Sequence, residues 1–348
     1  MTGTRRHNDR GSTGAVSVRG VIALAAAVYA LAGSPGAPAG GESASKPPTS
    51  RPVTSQPGSP EVLAVLSSAA GPYVQAEKAM ARRLSELGRS MEAVQLDELV
   101  KRGGAGRPGV RVYVAVGTRA AAWLHPRIKG PAAMAYCMVT GLAESGLLGR
   151  PGRGGVCTDV PVKAQFELIA RALPSARAIG MLYRSKSSRS RYVLARARKS
   201  LPKGWRLYAV DVDARQTVAE AIEVLCRRRI DVVWTAPDGS VYNTAVVRSL
   251  LLAAMRRNRP VFGFSPAFVR AGALVGVGID PARQGRRAAE ETEKLLSAPS
   301  PSQPGVHVGP DYRIAVNLIV AEKLGIRLPD ALVKRADFVF DGKGRRNR

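Results

Sequence analysis

Short runs in which nearly every residue is apolar recur along this chain, each divided from the next by a stretch with helical periodicity. In the first half they are VLAVL at 62–66, VRVYVAV at 110–116 and AAMAYCMV at 132–139, with MEAVQ at 91–95 between them. Successive side chains of a strand point to opposite faces, so a strand that is apolar at consecutive positions must be covered on both. Strands of that kind separated by helices predict a parallel sheet sandwiched between helices. The intervening helices are expected at 74–87 and in a short segment through Trp123.

A second series follows the glycine-rich stretch 149–155, which reads as a crossover loop because it lacks the Lys-Ser/Thr ending of a phosphate-binding loop. Helices expected at 162–173, 191–200, 218–226 and 243–256 alternate with IGMLY at 179–183, RLYAV at 206–210, IDVVWT at 230–235 and PVFGF at 260–264. ALVGVG at 273–278 reads as the final strand, followed by helices at 282–296 and 315–324. The expected fold is α/β: two Rossmann-like lobes with parallel sheets joined by a hinge, the chain passing between them near Gly155 and Gly278. One lobe would hold 61–155 plus about 281–310, the other 156–280 plus about 311–341, with a basic tail at 342–348.

The 348 residues carry 53 Lys and Arg against 26 Asp and Glu, a net charge of +27, and 45% are hydrophobic, enough for a sizeable core. Many of the cations close a helix just before a strand, as at 227–229 and 256–257, where the helix dipole favours them. Eight cations and no acid lie between Arg184 and Lys203, a pattern expected first of a solvated helix face and otherwise of a surface that attracts an anionic ligand, membrane surface or polymer. No nucleic-acid reading element accompanies them, so no nucleic-acid partner is expected. Three cysteines and three histidines are too few and too scattered for a zinc module or a disulfide framework. Cys137 and Cys157 are expected to stay unpaired and Cys226 to lie in the core; no metal or cofactor is expected.

Arg5, Arg6, Arg10 and Arg19 precede the apolar run VIALAAAVYALA at 21–32, which ends in the small-x-small triplet Ala30-Leu31-Ala32. That is the pattern of a secretory signal peptide over residues 1–32, and twelve apolar residues fall short of the ~20 a spanning helix needs. Residues 33–60 are Gly, Ser, Pro, Ala and Thr with little to bury, and are expected to form a flexible leader.

The segment G-V-C-T-D-V-P-V-K-A-Q (155–165) followed by L-P-S-A-R-A-I-G-M-L-Y (173–183) resembles the ABC transporter substrate-binding proteins of the tryptophan/tyrosine-type group. V-A-V-G-T-R-A-A (114–121), R-P-V-F-G-F (259–264), R-A-G-A-L (270–274), G-I-D-P-A-R-Q-G (278–285) and N-L-I-V-A-E-K-L-G-I (317–326) are similar to further landmarks of that family, in the same order. The resemblance implies a type I periplasmic-binding-protein fold that closes on a small ligand, with delivery to an ABC permease of the inner membrane. It departs from the family at Val139-Thr140-Gly141, where Thr-Asp-Pro is usual, and at Arg184-Ser185, where Asn-Pro is usual. Both places would face the cleft, so the family's ligand does not transfer.

In an open α/β sheet, ligands bind beyond the carboxyl ends of the strands, where helix N-termini present unpaired N–H groups. In the first lobe that rule selects Ser67, Ser68, Tyr73, Gly117, Thr118 and Thr140. In the second it selects Ser185, Asp238, Ser240, Ser265 and, near the crossover, Asp280. Hydroxyls with helix N-termini suit a carboxylate, and Asp238 would suit an ammonium on the same ligand. Helix capping explains each Ser or Thr equally well, and Asp238-Gly239 is also a good turn pair. There is no G-x-S-x-G, Walker lysine loop or zinc helix, so no catalytic residue is assigned and no enzyme is expected. The expectation is a monomeric, periplasmic solute-binding protein for a small amino-acid-like ligand. A ligand-binding module for a sensory partner, or an exported α/β hydrolase, would share the fold.

Overall fold

The computed structural model describes residues 60–129, 131–142, 145–298, 307–309, 311–342 and 345–347. The expected signal peptide, and the leader up to residue 59, lie outside them.

The first lobe runs β1 (Val62–Leu66), α1 (Gly71–Glu86), β2 (Met91–Gln95), α2 (Leu96–Lys101), β3 (Val112–Val116), α3 (Thr118–Leu124), β4 (Ala133–Val139) and β5 (Arg153–Cys157). The chain then crosses to α4 (Val162–Ala172), β6 (Ala178–Tyr183), α5 (Ser188–Ser200), β7 (Arg206–Asp211), α6 (Val218–Arg227), β8 (Val232–Trp234), α7 (Thr244–Arg256), β9 (Val261–Gly263), α8 (Pro266–Ala271) and β10 (Val275–Ile279). It returns for α9 (Pro281–Ser297) and β11 (His307–Val308). It then crosses a third time into β12 (Tyr312–Asn317), α10 (Leu318–Lys323), α11 (Asp330–Arg335), β13 (Phe338–Phe340) and β14 (Arg345–Asn347).

The first sheet has the order β11-β5-β4-β3-β1-β2 and is parallel throughout. Its strands divide their apolar residues between two cores. Val62, Ala64 and Leu66 pack with Ala76, Met80 and Leu84 of α1, while Leu63 and Val65 pack on the other face with Leu99 and Leu124. The second sheet has the order β14-β13-β12-β10-β9-β8-β6-β7 and is likewise covered on both faces.

The structure corrects the following expectations. The stretch read as a crossover loop contributes β5, an inner strand of the first sheet. Its sequence RGGVC has no apolar run to announce it, and Gly155 allows the pairing: at φ +148° an added Cβ would lie 2.1 Å from the carbonyl oxygen of Tyr136. ALVGVG is not the last strand. Residues 315–317, read as the start of a helix, complete β12, which lies antiparallel beside β10. Asn317 ends that strand: its Oδ1 accepts the N–H of Val320 at 3.0 Å to cap α10, and its Nδ2 donates to the Val269 carbonyl at 2.8 Å. The second sheet is therefore not wholly parallel, and part of the basic tail forms β14, antiparallel to β13.

The segment α9 is the structural reason that the first lobe is completed by residues more than a hundred positions downstream. An added Cβ on Gly285 would lie 1.9 Å from the Ala76 carbonyl oxygen, so the backbones of α9 and α1 touch. Arg89 clamps the far end with two hydrogen bonds of 2.7 Å to the Glu293 carboxylate. Near the crossover Gln284, 2% exposed, accepts the Met138 N–H at 3.2 Å and donates to the Cys157 carbonyl at 2.9 Å. It thereby holds a register shift in β4, where Met138 takes φ +57°.

Candidate functional site

A cavity of about 200 Å³ lies where the two lobes meet. Thr140 reaches it from the loop after β4, and Thr158, Asp159 and Val160 from the crossover that leaves β5. The second lobe adds Gln165 of α4, Arg189, Tyr192 and Arg196 of α5, and Gly278 with Ile279 at the end of β10. Hollows of about 570 and 660 Å³ elsewhere are each lined by a single lobe, the one by α10, α11 and the link between them, the other by α1, its N-terminal approach and the start of α9. Only the smaller cavity combines both lobes with the crossover, at the carboxyl ends of parallel strands, which is where such sheets bind ligands.

Its polar wall is tightly wired. Asp159 accepts Nη2 of Arg189 at 2.7 Å through Oδ1, while its Oδ2 accepts the N–H groups of Gly141 at 2.8 Å and Leu142 at 3.1 Å. One carboxylate thus joins the crossover to the first lobe's β4 loop and to the second lobe's α5. Arg189 also donates from Nε to the Pro237 carbonyl at 3.4 Å. Gln165, 4% exposed, donates to the Val160 carbonyl at 2.8 Å and accepts the indole N–H of Trp234 at 2.9 Å, so its rotamer is fixed from both ends. The hydroxyls of Thr140 and Thr158 are 2.8 Å apart.

Of the residues expected from the strand-end rule, Thr140 lines this cavity. Thr118 stands behind it, its Oγ1 accepting the Thr140 N–H at 3.0 Å. Ser67, Tyr73 and Gly117 come together as packing. The Ser67 hydroxyl caps α3 by accepting the Ala120 N–H at 2.9 Å, and a Cβ on Gly117 would meet Ser67 Oγ at 2.5 Å and the Tyr73 ring at 2.7 Å. Burial pushes the Tyr73 phenol above its ordinary range, partly offset by Arg119. Ser68 accepts the Ala70 N–H at 3.3 Å, and Ser265 caps α8 through the Phe268 N–H at 3.1 Å. The Ser185 N–H donates to Asp211 at 3.0 Å. Asp238 spends its Oδ1 on the N–H (3.0 Å) and hydroxyl (2.6 Å) of Ser240, the turn its Asp-Gly pair suggested. Asp280 caps α9 and meets Arg313 at 3.2 Å. Arg184, expected to face the cleft, instead pairs with Asp213 at 2.6 Å and donates to the Ser240 carbonyl.

Of the two readings of 184–203, the solvated face covers only part of the segment. Arg191, Arg196, Arg198 and Lys199 are all exposed, but Arg189 and Tyr192 are partly buried and, together with Arg196, line the cavity. Their spacing of i, i+3 and i+7 is one face of a helix, a signal present in the sequence once α5 is started at Ser188. Asp159 and Gln165 lay inside the segment at 155–165, with nothing in residue type to separate a cleft residue from a capping one. Among the described residues, no group of three or more His, Cys, Asp or Glu is placed to hold a metal ion, and no helix is long and apolar enough to cross a membrane.

Two lobes of mainly parallel sheet, linked by three chain crossings with a cavity at the strand ends, define a type I periplasmic-binding-protein-like fold. A family model described as ABC transporter substrate binding protein matches residues 109–340, and the chain belongs to that family. Solved structures agree on the fold. A conserved domain protein of Vibrio cholerae O1 biovar eltor is 20% identical at a TM-score of 0.63, covering 80% of this chain and 99% of the other. An ABC domain in complex with L-Trp from Streptococcus pneumonia is 20% identical at 0.62 over the same shares. A ligand-free, open substrate-binding protein with adhesive properties from Clostridium difficile is 17% identical at 0.63, covering 78% of this chain and 96% of its own. No curated protein matches the sequence.

Proposed function

We propose that the chain is an exported solute-binding protein that closes its two lobes on one small ligand in the cleft and delivers it to an ABC importer, acting as a monomer. The observation that carries this reading is the cavity of about 200 Å³ walled by both lobes and by the crossover between them. Its volume lies below the ~300–1,000 Å³ of drug-sized pockets, which suits a ligand with few heavy atoms. Thr140, Thr158, Gln165, Arg189, Tyr192 and Arg196 are its polar contacts. Ser67, Tyr73 and Gly117 act indirectly, by fixing the N-terminus of α3. Family membership and the sequence at 1–32 support a place outside the cytoplasmic membrane.

Thermal-shift screening of the purified protein against small metabolites tests the reading. A ligand at 100 times its Kd adds ~2.7 kcal/mol to stability, a readily measured rise in Tm. A Tm that no small solute moves at millimolar concentration removes solute binding from the function.

A further inference from the structure

Resting on the cleft reading above, the structure assigns a ligand class: we infer that the cleft takes a small carboxylate with an apolar body and no ammonium group, its charge read by Arg196.

The cavity wall carries two guanidinium groups, Arg189 and Arg196, and one carboxylate, Asp159. Asp159 is committed. One of its oxygens accepts from Arg189 and the other from two backbone N–H groups, so its charge is already matched by a guanidinium before any ligand arrives. The other carboxylates near the strand ends are also engaged. Asp238 turns back on Ser240, Asp280 on Arg313 and the Arg283 N–H, Asp213 on Arg184 and the Lys186 N–H, and Asp211 on the N–H groups of Ser185 and Asp213. Arg196 is exposed, lines the cavity and forms no ion pair among the described residues. The wall therefore carries a net positive charge, and its one carboxylate is already paired. Closing the lobes on a zwitterion would bury its ammonium without a partner, a cost that a ligand lacking the group avoids. A carboxylate instead gains a charge-assisted, planar partner in the guanidinium. Beside these groups and the polar side chains of Thr140, Thr158, Gln165 and Tyr192 the wall is apolar, with Val160, Val162, Phe264, Val277 and Ile279, which sets the other half of the ligand.

Matched pairs test this. Calorimetric titration of the purified protein compares 4-methylpentanoate with L-leucine and 3-phenylpropionate with L-phenylalanine, together with the neutral amide of each acid. The expected result is that at least one acid binds, ten-fold or more tightly than its amino acid and its amide. Arg196→Gln should weaken that acid ten-fold or more. Arg198→Gln, on the same helix but outside the cavity lining, should change it less than two-fold. Equal or tighter binding of the amino acid overturns the ligand class and leaves the cleft reading standing. Equal losses in Arg196→Gln and Arg198→Gln overturn the role of Arg196 in favour of bulk charge. Binding of ribose or myo-inositol with no acid bound overturns the class alone, whereas no binding by any solute at millimolar concentration overturns the class and the cleft reading together.

Discussion

The guanidinium of Arg189 and the carboxylate of Asp159 meet at 2.7 Å on the wall between the lobes, with side chains only 22% and 29% exposed. Because Asp159 also holds the N–H groups of Gly141 and Leu142, this pair bridges a loop of the first lobe to a helix of the second through the chain crossing itself. Charge-assisted hydrogen bonds at such partly buried sites contribute more than exposed pairs do.

Replacing Asp159 by Ala should therefore cost about 2–3 kcal/mol of stability, since two N–H groups and a half-buried guanidinium lose their partner together. Asp159→Asn should cost less, because one acceptor oxygen survives. Urea denaturation of the two variants measures it. A loss for Asp159→Ala no larger than the ~0.5 kcal/mol of an ordinary surface change would show that the junction is not structural.

Gln284 offers the first lobe a comparable test. It is wholly internal and satisfies one donor on β4 and one acceptor on β5, so Gln284→Ala should destabilise by about 2–3 kcal/mol. Gln284→Glu keeps the acceptor for Met138 but turns a second oxygen on the Cys157 carbonyl in a buried site, and at neutral pH should cost at least as much as Ala. A Gln284→Glu protein as stable as wild type at neutral pH would contradict this assignment of the two bonds.

At Gly285 a single methyl group would meet backbone rather than a flexible side chain, 1.9 Å from the Ala76 carbonyl oxygen. Gly285→Ala must push α9 off α1 and should cost about 3 kcal/mol or more, the upper end of overpacking. Gly104→Ala, which meets nothing within 4 Å, is the comparison and should stay within about 0.5 kcal/mol. Similar thermal midpoints for the two variants would mean that the helices separate freely.

The imidazole of His307 should make stability depend on pH. Its Nε2 accepts the Gly149 N–H at 3.3 Å and its Nδ1 faces the Tyr136 hydroxyl, so the neutral ring fits and a second ring N–H would oppose Gly149. Burial lowers its pKa, and His125 is lowered the same way by burial and by Arg153 and Arg150. A folded pKa below the unfolded value of ~6.5 means that the stabilisation is whole above that pH and shrinks as pH falls through ~6.5 toward the folded value. Tm should thus drop between pH 7.5 and 5.5, and His307→Gln should flatten that drop. An unchanged slope in His307→Gln would take this ring out of the pH response.

All three cysteines are free in the structure. Burial pushes the Cys137 thiol up to about 12 and the Cys226 thiol to about 11, and raises that of Cys157. Thiolate is the reactive form, so maleimide at neutral pH should label the native protein slowly and reach three equivalents after denaturation without reductant. One equivalent after denaturation would reveal a disulfide between two of the three.

The periodicity of the chain was sufficient for most of the architecture, because a strand buried on both faces must be apolar at every position. That is why 62–66 and 133–139 announce themselves as strands and why helices 162–172 and 218–227 stand out between them. The ordered motifs from 114–121 to 317–326 were likewise enough for the family. β5 and β12 needed the tertiary structure: one is a strand because Gly155 lets it approach Tyr136, the other because β10 had an open edge. The site divided in the same way. Strand ends marked the right end of each sheet, but a Ser or Asp that caps its own helix or turn and one that faces a ligand have the same local sequence, and Ser265 and Asp238 make such local bonds, while Ser67 caps α3, 53 residues away. Asp159, Arg189 and Arg196 face the cavity because two lobes and a crossover meet there, an arrangement set by contacts between residues far apart in the chain.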